Sequence, residues 1–314
     1  MTRRPDFFII GAPKCGTTAM YQYLRSHPDL FLPETKEIRF FGSDLDVRDR
    51  PVRSLDDYLR FFSIAASSQL VGTAYVWYLY STTAAAEIAQ FTPAARIIVM
   101  LRQPADMLYS LHSEHLSNGN EDLPRFEDAL EAEPERRAGR RIPPHAHLPQ
   151  GLLYSEVPRY TEQLERYFAA FGRDRVHVIL YDDFAADTGR SYRETLRFLG
   201  VRDDVIPPFE VINPNKRVRS EAFRHFLARP PKLPRMIIRA AIPRRVRQRL
   251  FERAKRLNLT TPPRAPLYDG TRQQLNELFR PEIVRLGQLL ERDLGHWLQS
   301  SERDQRALDG AGGS

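Results

Sequence analysis

The stretch FFIIGAPKCGTT and the AMYQYLRSH that follows it constrain this chain more than any other segment. Phe7 to Ile10 form a short apolar run bounded by a turn, which predicts a buried strand. Gly11 to Thr18 make a tight glycine-bearing turn, and apolar residues at three- and four-residue spacing from Thr17 to Ser26 predict a helix. A strand, a turn and a helix start in that order leave backbone N–H groups and the positive end of a helix dipole facing the turn. Such a turn is a cradle for a phosphate, with Thr17 and Thr18 adding hydroxyl donors.

The same alternation continues along the chain. Strands are predicted at Leu70 to Tyr75, Arg96 to Leu101 and Val176 to Tyr181. Helices are predicted at Thr82 to Gln90, Pro104 to Ser117, Ser155 to Phe171 and Ser191 to Leu199, with a last long one from Arg272 to Leu298. This implies an α/β fold: a P-loop-like parallel β-sheet flanked by helices on both faces, with ligands bound at the carboxyl ends of the strands. Residues 1–300 are expected to form a single domain, and 301–314 a frayed polar tail. Two stretches break the alternation, Asn120 to Gln150 and Val205 to Pro266. Segments of that length without a regular pattern read as functional lids or disordered loops.

Charge singles out the second of them. From Lys216 to Arg256 there are 15 Lys or Arg against two acids, Glu221 and Glu252, while the whole chain is only +7. The remainder is therefore net acidic. The segment about 205–266 reads as a basic lid or insert, part of it, Ile237 to Leu257, a basic amphipathic helix. An anionic surface contact through 216–256 is one expectation and a solvated face the other. No nucleic-acid motif accompanies it, so nucleic acid is not an expected partner. The single cysteine, Cys15, excludes an internal disulfide, and no apolar run approaches the length of a membrane span. A cytoplasmic location follows as an expectation.

The turn differs from the common nucleotide-triphosphate loop, in which Lys follows the second Gly and Ser or Thr then holds magnesium. Here Lys14 precedes Gly16, and the strand RIIVML ends in Arg102 where a triphosphatase would carry a magnesium-binding Asp. Cations and amides, rather than a metal, are expected to hold the ligand's charge. Only five of the 47 basic residues are Lys, and one of them stands in this loop. A nucleotide-dependent kinase or NTPase, and a non-catalytic anion-binding module, remain the alternative classes.

These residues resemble the PAPS-dependent sulfotransferases (PAPS, 3′-phosphoadenosine 5′-phosphosulfate), and among them the heparan sulfate N- and 3-O-sulfotransferases and their bacterial relatives. FFIIGAPKCGTTAMYQYLRSHPDLFLPETKEIRFF is similar to that branch's 5′-phosphosulfate loop, helix, His-Pro turn and acidic-aromatic segment. RIIVMLRQPADMLYSLHSEHL resembles the 3′-phosphate motif, VHVILYDDF the strand beside the adenine, and PEIVRLGQLLERDLGHW the closing helix. The resemblance implies transfer of a sulfuryl group from PAPS to a hydroxyl or amine. It implies that Lys14 neutralises the bridging oxygen, that Cys15, Gly16, Thr17 and Thr18 line the 5′-phosphate, and that Arg102 and Ser110 hold the 3′-phosphate. Tyr181 would border the adenine, and Lys216 and Arg217 in NPNKRVR would close over the nucleotide.

The acceptor must lose a proton as it attacks sulfur, so a general base belongs beside the loop. Glu37 in KEIRFF resembles the branch's catalytic glutamate; His112, His115, His145 and His147 are rivals. One departure is plain: GTAYVWYLY has Thr73 and Ala74, neither Glu nor Lys, where the branch commonly reads Gly-Glu-Lys or Gly-Glu-Ala-Ser. Tyr75, Trp77, Tyr78 and Tyr80 suit either a sugar-faced or apolar acceptor or ordinary core packing. A glycan, a lipid and a secondary metabolite all fit as acceptors.

Overall fold

The computed structural model describes residues 3–48, 52–209, 217–218, 259–260 and 265–299. The chain divides into two units, Met1–Ile212 with Pro266–Ser314, and Asn213–Ala265. In the second, the described residues are Ala265 and one two-residue antiparallel pair, Arg217–Val218 (β6) with Leu259–Thr260 (β7). Lys216, the Arg217 side chain, the candidate amphipathic helix from 237 to 257 and the tail from 301 to 314 lie outside the described residues.

The first unit is built on five parallel strands: β1 (Phe7–Gly11), β2 (Leu30–Phe31), β3 (Leu70–Ala74), β4 (Arg96–Leu101) and β5 (Val176–Leu180). Their order across the sheet is β2-β3-β1-β4-β5. The strands are predominantly apolar because a parallel sheet is covered on both faces. Phe7, Phe8, Ile9 and Ile10 are completely buried, each such side chain contributing about 1.5–3 kcal/mol. Helix α1 (Thr17–Arg25) packs with α9 (Thr188–Leu199), while α3 (Ala84–Phe91) and α10 (Asp269–Leu290) pack on α7 (Tyr160–Phe171). Helix α10 also meets α4 (Pro104–Asn118).

Strand β1 is central, with the chain passing first to one side of it and then, through β4, to the other. A sheet of this kind has its crevice where the direction of winding reverses, outside the carboxyl ends of the strands. That point lies between β1 and β4, so the turn after β1 and the first residue after β4 are neighbours. The Ala12 N–H donates to the Met100 carbonyl across this boundary at 2.7 Å.

Several elements differ from the sequence reading. Tyr181 does not end β5; it opens α8 (Tyr181–Ala186), because β5 stops on Leu180 at the sheet edge of the crevice. Helix α7 begins at Tyr160 rather than Ser155, since Pro158 disfavours helix in the residue before it. The closing helix ends at Leu290, where Glu291 takes a left-handed conformation (φ 53°), and a separate 3-10 turn follows at Gly295–Leu298. Two pieces were not anticipated, β2 and α2 (Leu55–Arg60).

The largest correction concerns Asn120 to Gln150, which holds α5 (Phe126–Glu131) and α6 (Glu133–Arg137). Its anchor is an ion pair, Arg136 Nη2 to Glu121 Oε1 at 2.7 Å, with side chains only 1% and 0% exposed. Tyr154 donates to the other oxygen of Glu121 at 3.0 Å, and Ser155 donates to Glu133 through both N–H and hydroxyl. A buried pair satisfied on this many sides fixes the path of a chain that has too few apolar residues to do so by itself.

Candidate active site

The turn after β1 has two positions that only glycine fills well. At Gly11 (φ 151°) a Cβ would lie 2.6 Å from the Val76 carbonyl oxygen; at Gly16 (φ 88°), which caps α1, it would press on Phe184 at 3.2 Å. No acid stands in the first turn of α1, so the amides of its first residues and the dipole meet no competing carboxylate there. Thr17 is buried and Thr18 half-buried at the same helix start. Between the glycines, Lys14 itself is left-handed at φ 62°. A side chain in that region costs about 1–2 kcal/mol, and strain of this kind gathers where a functional group must be held at a fixed place.

The Lys14 ammonium forms an ion pair with Glu114. Glu114 lies on α4, one turn beyond Ser110 and therefore on the same face of that helix. Burial works to raise its carboxyl, but the charge and hydrogen bond of Lys14, together with His115 and Lys36, hold it below the usual carboxylate range.

Arg102, the first residue after β4, sits over the Tyr181 ring, 4.5 Å from its centroid, and its Nη1 lies 3.5 Å from the Lys14 carbonyl oxygen. Residues at the starts of three different helices, α1, α4 and α8, thus converge on one crevice. Its far wall is clamped from the chain's end. Gln103 caps α4 by accepting from the Asp106 N–H at 2.7 Å and donates to Asn276 and to the Trp297 carbonyl, and Arg272 pairs with Asp106 at 3.0 Å. Asp182, next to Tyr181, accepts from the Trp297 indole and from His296. Ser110 is buried on α4. The Cys15 side chain points into the core and donates to the Pro13 carbonyl. Burial pushes its thiol up to about 12, against the opposing pull of Arg102, so Cys15 keeps its proton and only its backbone faces the turn.

On the other side of Lys14, the Lys36 ammonium donates to Thr18 Oγ1 at 3.1 Å and to Glu37 Oε1 at 3.2 Å. Glu37 is therefore joined to the loop through Lys36. The segment is positioned by Tyr78, whose hydroxyl accepts from the Phe40 and Phe41 amides and donates to the Ile38 carbonyl. Tyr78 is fully buried and serves as scaffold, and burial drives its hydroxyl well above the ordinary range for tyrosine. Trp77 instead lies half-buried against His115, ring centroids 6.3 Å apart. Tyr75 lies under the Arg39 guanidinium at 5.6 Å.

Two of the histidines, His112 and His115, lie on α4. His112 is buried and bonded through Nε2 to the Leu123 carbonyl at 2.9 Å, and burial lowers its pKa. Burial takes His115 down to about 4. His145 is exposed on the 120–150 segment, and the backbone of His147 is tied to Asn120 and Arg48. Thus Lys14, Gly16, Thr17, Thr18, Arg102 and Tyr181 share one sheet edge, with Glu37 beside it. Sequence reading missed Lys36 as the link and Glu114 as the partner of Lys14. The four-residue spacing from Ser110 to Glu114 was the available signal.

The sulfotransferase domain family matches residues 4–208. Human bifunctional heparan sulfate N-deacetylase/N-sulfotransferase 3 is 28% identical over 211 residues, 63% of this chain and 22% of that protein. Human carbohydrate sulfotransferase 15 is 32% identical over 148 residues, 34% of this chain and 26% of that protein. The chain thus matches only about a quarter of the length of these relatives. Among solved structures, a sulfotransferase from Alicyclobacillus acidocaldarius superposes with a TM-score of 0.71 at 28% identity, covering 95% of this chain and all of the other. With the family's match spanning well over half of it, this chain belongs to the sulfotransferase family, whose members are sulfuryl-transferring enzymes.

Proposed function

We propose that this chain moves the sulfuryl group of PAPS to a hydroxyl or amine of an acceptor, without a metal, in the crevice between β1 and β4. The observation that carries this reading is the meeting of Lys14 and Arg102 at the carboxyl ends of adjacent strands, with Tyr181 under Arg102. Two cationic positions, one beside a helix start and one beside an aromatic ring, match a nucleotide that carries charge at both its 5′ and 3′ ends.

The donor supplies a sulfur centre whose bond to the phosphate oxygen breaks in transfer. Lys14 holds the charge that grows on the departing oxygen, while the α1 amides, Thr17 and Thr18 hold the 5′-phosphate. Arg102 and Ser110 take the 3′-phosphate, and Tyr181 offers its ring to the base. Glu37, kept near the loop by Lys36, accepts the acceptor's proton. The names of the relatives, heparan sulfate and carbohydrate sulfotransferases, favour a glycan acceptor over a lipid or a secondary metabolite. Lys216, Arg217 and the basic stretch to 256 are assigned to closure over the nucleotide or to contact with an anionic partner, on their charge alone. A single, buried and protonated cysteine suits a cytoplasmic setting.

Calorimetric titration with adenosine 3′,5′-bisphosphate (PAP), without magnesium, tests the donor site. Binding is expected, together with transfer of label from radioactive PAPS to one member of a panel holding a free-amine glycan, an N-acetylated glycan and a phenol. Binding of ATP only with magnesium, and no binding of PAP, would overturn the reading in favour of an NTPase.

A further inference from the structure

Lys14 has two possible partners that exclude each other. In the structure its ammonium is taken by Glu114, whereas transfer as proposed above requires it at the bridging oxygen of the donor. Glu114 is in contact with the β1 turn through Lys14, and the Lys36 charge on the Glu37 segment acts on it as well. It is half-buried, faces the same side of α4 as Ser110, and adjoins the Trp77–His115 stack. Its helix is fixed at the start by Gln103 and Arg272, so the carboxylate stays in place when Lys14 leaves.

Resting on the sulfuryl-transfer reading, we propose that Glu114 stores Lys14 while the donor site is empty and, once the donor draws that lysine away, acts as a second acceptor-side carboxylate that takes up the transferred proton. The step balances as follows. The acceptor oxygen or nitrogen forms its bond to sulfur, the sulfur–oxygen bond to the phosphate breaks, and that electron pair stays on the phosphate oxygen beside Lys14. The proton of the acceptor leaves through Glu37, and the Glu114 carboxylate takes it up from there.

The exchange of partners supplies its own timing. With Lys14 attached, Glu114 is a poor base, because the neighbouring cation stabilises its charged form. Removing that cation and placing an anionic donor nearby both favour proton uptake. The carboxylate thus becomes a competent base only when the donor is in position. Of the cations acting on it, Lys36 remains, and its ammonium is already shared between Thr18 and Glu37.

The test compares wild type, Glu114→Gln and Glu37→Gln, with thermal melting to establish that each is folded. By calorimetry with PAP, E114Q is expected to bind about fivefold more tightly than wild type, since no ion pair must open and one like charge is gone. E37Q is expected to lower kcat without the gain in PAP affinity expected of E114Q. With the acceptor that wild type labels, E114Q is expected to lower kcat on the order of 100-fold. Unchanged or weaker PAP binding by E114Q, or an unchanged kcat, would each overturn the proposal. Should E114Q not fold, Glu114→Ala, which likewise removes the carboxylate, carries the same two measurements and the same outcomes. Wild type that does not bind PAP would instead remove the sulfuryl-transfer reading and this proposal with it.

Discussion

The turn at residues 11–18 and the segment at 120–155 flank the same helix, α4, yet they are held by opposite means. The turn is shaped by backbone: two glycines at φ 151° and 88°, an amide bonded to the Met100 carbonyl, and a helix start. The segment is shaped by side chains: the Arg136–Glu121 pair, the Tyr154 hydroxyl and the Ser155–Glu133 contact. Backbone devices leave the first amides of α1 facing the crevice and hold Lys14 beside them, its ammonium paired with Glu114. The side-chain network is instead used up in holding its own segment, and it contributes a wall without contributing chemistry. Substitutions in the first should therefore change rates and binding, and substitutions in the second should change stability.

The sharpest way to break this contrast is at Glu121. Glu121→Ala leaves Arg136 buried without its partner and is expected to remove about 3–5 kcal/mol, lowering Tm by roughly 10 °C. Replacing both residues by apolar ones should recover most of that loss. Lys14→Ala is expected to reduce transfer about 100- to 1,000-fold with Tm almost unchanged, as radiolabel transfer and melting will show. A fall in Tm comparable to that of E121A would erase the distinction. Arg102→Ala should weaken PAP binding about 10- to 100-fold, the loss of charged hydrogen bonds worth about 1.5–3 kcal/mol, read by calorimetry.

Acid separates the regions more gently. Burial tends to raise the Glu121 carboxyl, but Arg136 and the Leu123 and Asp122 amides prevail and leave it below the ordinary range. A carboxyl lowered in the folded state contributes stability that is complete above its unfolded pKa, about 4.3, and is lost as pH falls through the folded value. The acid limb of the melting profile, below about pH 4, should therefore be steeper in wild type than in a variant with Glu121 and Arg136 both replaced. The smallest effect is expected at Cys15. Its thiol, pushed up to about 12, should resist iodoacetamide at pH 8 until the protein is denatured, and Cys15→Ala should change PAP affinity less than about threefold.

What could be read from the sequence follows the same division. The β1 turn, Arg102 and the order of strands are encoded over ten or so consecutive residues, in apolar runs, glycines and helix starts, and these stood out. The helices within 120–150 were missed because their anchors join residues 15 and 33 positions apart, Glu121 with Arg136 and with Tyr154. No local pattern marks such a pair. Tyr181 was placed near the nucleotide through its motif but assigned to the strand, because a one-residue boundary between β5 and α8 is beyond what periodicity resolves. Glu114 was hidden differently: a charged residue in the middle of a helix looks like any solvated position until the fold sets it opposite Lys14.

Asp182 accepts from the Trp297 indole, a separation of 115 residues along the chain. That tie has a consequence for biosynthesis. A ribosome releases all five strands of the sheet before the residue that braces the wall carrying Tyr181 has been made. The crevice wall carrying Tyr181 therefore stays unbraced in a growing chain until Trp297 emerges, and a ribosome-bound product halted before that residue would own the sheet without this brace.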